Sequence, residues 1–135
     1  MIKLIIGRKG SGKTKKLVDM VNAATAESLG NVVCIEKGDT LTYSVTHKAR
    51  LIDAESFGIS GYGEYYGLVS GIKAGNHDVT HIFGDATLRI GTRNYDELTA
   101  FLERVKKIED VEFIFTISAD KEELPEKIFE IAEIC

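Results

Sequence analysis

The chain has 135 residues, 44% hydrophobic and 28% charged, which suits one domain spanning residues 1–135 around one core. A formal net charge of −4 argues against a general nucleic-acid or anionic-membrane binder. No apolar run approaches the roughly 18 residues of a membrane span, and residues 1–6 are too short for a signal peptide. Cys34 and Cys135 form no disulfide or metal pattern, so a reducing cytoplasm is the expected compartment.

Residues 2–6 read as a continuous apolar strand of the kind buried on both faces of a parallel sheet. A helix is predicted from Lys13 to about Leu29, with Leu17, Val18, Val21 and Ala24 on one face and Gly30-Asn31 as its stop. Residues 32–35 form a second strand that closes at Glu36, and residues 40–46 read as a loop or weak hairpin. Residues 50–53 make a short edge strand. Ser60 is the expected N-cap of a helix to about Ala74, with Tyr65, Leu68, Val69 and Ile72 facing the core.

In that helix Gly63, Gly67, Gly71 and Gly75 recur every four residues. Each interior glycine costs about 1 kcal/mol relative to alanine, so the stripe calls for a reason. Close packing on the sheet is the expected one, and a helix contact between subunits is the alternative. Residues 79–84 form the next strand and end at Asp85. Asn94 and Glu97 make a capping pair for a helix to about Ile108. Residues 111–117 are a strand, and Pro125 opens a last helix.

Strands and helices alternate along the chain. The expected fold is therefore α/β, a three-layer αβα arrangement with a mostly parallel sheet of four to five strands. In such sheets ligands sit at the carboxyl ends of the strands.

The first strand ends in Gly7-Arg8-Lys9-Gly10-Ser11-Gly12-Lys13-Thr14, the glycine-rich phosphate-loop pattern G-x-x-x-x-G-K-T between a strand and a helix. The glycines let successive N–H groups turn inward around a phosphate, and the helix start favours an anion. Lys13 would reach the β- and γ-phosphates, and the Thr14 hydroxyl would ligate Mg²⁺. The basic knot of Arg8, Lys9, Lys13, Lys15 and Lys16 fits a polyphosphate more simply than nucleic acid.

Asp85 resembles a Walker B aspartate and is the second metal candidate, while Ala86 stands where many P-loop ATPases have an activating glutamate. Glu36 is the remaining candidate base, with a solvated loop carboxylate as the plainer account. Thr116 and Ser118 are candidate γ-phosphate sensors or turn-satisfying hydroxyls. Arg89 and Arg93 can act as arginine fingers, in this chain or across an oligomer, or lie idle on the surface. His47, His77 and His81 have no ligand spacing. An Asn-Lys-x-Asp guanine-reading motif is absent, which favours ATP over GTP.

On Gly7 to Thr14 and Asp85 the chain resembles the P-loop NTPases. With Glu36 on a different strand from Asp85, it is similar to their recombinase-like and secretion-type branch. More narrowly, it looks like a small stand-alone group of bacterial ATP-binding proteins sometimes labelled twitching-motility ATPases. The resemblance implies a Mg²⁺-dependent ATP-binding protein: a slow ATPase or nucleotide-state switch acting on an oligomer or protein partner. The alternatives are a sensor module without chemistry and, on Lys37, Tyr43 and His47, a small nucleoside kinase.

Overall fold

The computed structural model describes residues 1–135, and its strands all belong to one sheet. They are β1 (Ile2–Gly7), β2 (Asn31–Glu36), β3 (Arg50–Asp53), β4 (Val79–Gly84), β5 (Glu112–Ser118) and β6 (Glu133–Ile134). Their spatial order is β3-β2-β4-β5-β1-β6. Every pairing between neighbouring strands is parallel. The helices are α1 (Lys13–Glu27), α2 (Tyr62–Gly75), α3 (Thr87–Ile90), α4 (Tyr95–Lys106) and α5 (Glu126–Ile131).

The period-2 alternation of the strands splits the core in two. Val33, Ile35, Ile82, Phe113, Phe115 and Leu4 face the side covered by α2, α4 and α5. Cys34, Phe83, Ile114 and Ile5 face α1, where Leu17, Val18 and Val21 meet them together with Leu41 and Val45 of the loop after β2. The protein is thus an α/β fold with a parallel sheet between helices. No helix is long and apolar enough to cross a membrane.

Three expectations need correction. The sheet has six strands, not four to five, because Glu133–Ile134 leaves the last helix and pairs with β1 through Lys3 and Leu4. The N-cap of α2 is Gly61, not Ser60, and the Ser60 backbone N–H is taken by the Glu64 carboxylate at 2.9 Å. The glycine stripe does not pack on the sheet. A Cβ added at Gly63, Gly67, Gly71 or Gly75 would meet nothing within 4 Å, so the stripe looks outward. Tyr62, Tyr65 and Val69 take the inner face instead.

The Asn94 cap forms as expected: its side chain accepts from the N–H groups of Asp96 and Glu97. The Glu97 carboxylate, however, takes the Thr92 hydroxyl at 2.6 Å rather than returning to Asn94.

Candidate functional site

β1, β4 and β5 deliver the site, and the order of the sheet explains why. β5 lies between the other two, so its carboxyl end joins the loop after β1 to the turn after β4. A cleft of about 820 Å³ opens there, a size in the ordinary range for small-molecule sites.

One wall is the loop into α1. Gly10 and Gly12 have φ of 83° and 88°, a left-handed backbone that favours glycine. Gly12 sits at the N-cap with no side-chain cap, so the first-turn amides of α1 are not satisfied by a capping side chain. Lys13 is buried, and its Nζ donates to the Arg8 carbonyl at 2.7 Å. Burial holds this ammonium below the ordinary lysine value, while the Asp85 charge pulls the other way.

The Thr14 hydroxyl donates to both carboxylate oxygens of Asp85, at 3.3 and 3.1 Å, across 71 residues of sequence. Asp85 is fixed from a second direction. The Thr116 hydroxyl, in a residue only 2% exposed, donates to Asp85 Oδ1 at 2.7 Å and accepts from the Ala86 N–H at 3.0 Å. Ala86 has φ of 54°, so the chain turns sharply into α3 directly after the carboxylate.

The turn is held from behind by α2. A Cβ at Gly84 would collide with Tyr65 Oη, and one at Gly91 would collide with the Tyr62 ring. Tyr62 Oη also donates to the Thr92 carbonyl at 2.6 Å. Tyr65 Oη is buried without a hydrogen-bond partner, and burial pushes its pKa upward.

Of the predicted loop residues, Lys9, Gly10, Gly12, Lys13 and Thr14 line the cleft together with Asp85. Gly7, Arg8 and Ser11 do not. Gly7 lies beneath the loop against Ser11. Arg8 turns away to pair with Asp120, its Nε at 2.9 and 3.0 Å from the two carboxylate oxygens. That carboxylate holds the guanidinium above its ordinary pKa.

Glu36 is not brought to the cleft either. It is only 2% exposed, and its carboxylate accepts from the Thr40 N–H at 3.1 Å, the Thr40 hydroxyl at 3.0 Å and the Leu41 N–H at 3.1 Å. The candidate base is occupied in folding its own loop. Thr116 and Ser118 do line the cleft, as do Arg89 and Arg93. Sequence reasoning missed α3 and the left-handed Ala86, because the four residues of α3 carry no readable period.

The donor set at the wall junction is two hard oxygen groups, the Thr14 hydroxyl and the Asp85 carboxylate. That set suits Mg²⁺, which takes few protein ligands and keeps its waters. No protein-family model matches the chain, and no curated protein matches it.

Proposed function

We propose that the cleft binds a Mg²⁺–nucleoside triphosphate, ATP by preference, and that the chain is a P-loop protein of the three-layer αβα kind. One observation carries this reading: Thr14, at the end of a loop with two left-handed glycines, touches Asp85 at the end of β4. The amides of the loop and of the α1 N-terminus would hold the phosphates, with Lys13 moving from the Arg8 carbonyl to the β- and γ-oxygens. Thr14 and Asp85 would hold the Mg²⁺, which would draw charge from the phosphate oxygens. Thr116 keeps the Asp85 carboxylate aimed at that point.

Water attack on the γ-phosphate has little help here, because Asp85 is the one carboxylate lining the cleft. The reading is therefore of a slow ATPase, or a nucleotide-state switch, working in the cytoplasm on an oligomer or protein partner. The engaged Glu36 carboxylate favours, as a second reading, a sensor module that binds nucleotide without turnover.

Calorimetry with Mg·ATP and Mg·GTP, with and without EDTA, tests the proposal. Metal-dependent binding that the Lys13→Ala variant loses is the expected result. No heat from either nucleotide would end it.

A further inference from the structure

The lining of the cleft is electrically lopsided. Lys9, Lys13, Lys15, Arg89 and Arg93 face it against the single carboxylate of Asp85, in a chain whose net charge is −4. Lys15 is paired with Asp19 at 3.1 Å. Arg89 and Arg93 are exposed and in no ion pair; the Arg89 guanidinium makes no hydrogen bond, and that of Arg93 makes one, Nη1 donating to the Ser118 carbonyl at 3.4 Å. A Mg²⁺–triphosphate carries about two net negative charges, and the phosphate loop with Lys9, Lys13 and the α1 N-terminus already answers those. Two guanidinium forks remain on the other wall, that of Arg89 free and that of Arg93 tied only through Nη1. Their planar, bidentate geometry matches a phosphate dianion.

We propose that Arg89 and Arg93 form a second anion site in the cleft, built for the phosphate group of a phosphate monoester that accepts the γ-phosphoryl group. This rests on the triphosphate reading and names its co-substrate. The missing base supports it. A hydroxyl acceptor or water must lose a proton, and the cleft offers no carboxylate free to take it. A monoester phosphate has its second ionisation near pH ~6 and presents an oxygen already deprotonated at neutral pH.

That oxygen attacks Pγ. The new O–Pγ bond forms as the bond from Pγ to the β,γ-bridging oxygen breaks, and the nucleoside diphosphate leaves with the electron pair. The monoester becomes a diphosphate ester, and no proton is removed at any point. Arg89 and Arg93 screen the repulsion between the two anions.

Protein saturated with Mg·AMPPNP, a triphosphate that is not transferred, is titrated calorimetrically with AMP and with glycerol phosphate. We expect one or both to bind, and the Arg89→Ala/Arg93→Ala variant to lose at least about tenfold of that affinity. The same variant should hold Mg·AMPPNP within about threefold of the parent, and the Arg89→Lys/Arg93→Lys variant should fall between. AMP binding alone would identify a nucleotide acceptor, whereas equal binding of both esters would place recognition on the phosphate. Loaded protein that gives no heat with either ester overturns the inference and leaves the triphosphate reading standing. A variant that loses Mg·AMPPNP itself, with its preference over Mg·ADP, also overturns it, since the arginines would then serve the γ-phosphate. No heat from Mg·AMPPNP with the parent sinks both.

Discussion

Glu36 and Asp85 occupy matching places at the carboxyl ends of the adjacent strands β2 and β4, yet their environments differ sharply. Glu36 is enclosed by the loop that follows it, and Thr40 and Leu41 use its oxygens three times over. Asp85 is gripped only by hydroxyls, Thr14 and Thr116, and stays open to the cleft. Hydroxyls can turn and give way to a metal. Backbone amides that define a loop cannot, without unfolding it. A strand-end carboxylate is thus left open to the cleft at Asp85 and locked into its own loop at Glu36.

The largest effect should come from the wall facing Asp85. On the proposed reading, Lys13→Ala should weaken Mg·ATP on the order of 100-fold and abolish its melting shift, because it removes the ammonium that would meet the phosphates. Next, Asp85→Asn should remove about tenfold or more of the gain in nucleotide affinity that Mg²⁺ provides, read by calorimetry with and without EDTA. Glu36→Gln tests the other side of the comparison. It should lower unfolding free energy by about 1–3 kcal/mol in a denaturant titration, since an amide cannot accept from every donor in that nest. Nucleotide affinity should stay within about threefold. If Glu36→Gln spared stability and reduced turnover instead, the contrast between the two carboxylates would fail.

The smallest effect calibrates both and lies at the opposite end of the sheet. The Lys3 ammonium hydrogen-bonded to Glu112 holds that carboxyl below the usual carboxylate range, against a smaller opposing effect of burial. His81 Nε2 stands 3.2 Å from the same group. A depressed folded value stabilises the protein above the unfolded value of about 4.3, and the contribution fades as pH falls through the folded value. Glu112→Gln should therefore cost about 0.5 kcal/mol at pH 7 and flatten the acid limb of a melting curve below about pH 5.

The parts of the molecule legible in the sequence are those set by neighbours along the chain. The glycine-rich turn between β1 and α1, Asp85 at a strand end and the Asn94 cap each declare themselves within a few residues. Glu36 did not, because its fate depends on the irregular loop after it. β6 went unread because two residues have no period and become a strand only beside β1. The glycine stripe was misjudged although the signal was present. On a helix advancing about 100° per residue, Gly63 and Gly67 lie nearly opposite Tyr65 and Val69. A face opposite the buried one has to look outward.

That bare outer face has a consequence for the Asp85 turn. Glycines weaken α2 from within, while its two inner tyrosines brace the backbone on either side of α3. Amide hydrogens of α2 should therefore exchange faster than those of α4, whose outer positions are ordinary helix formers. If loosening α2 slackens its hold on Gly84 and Gly91, protection of α3 should fall along with it. The firmness of the cleft-facing carboxylate is then borrowed from one of the softer helices in the fold.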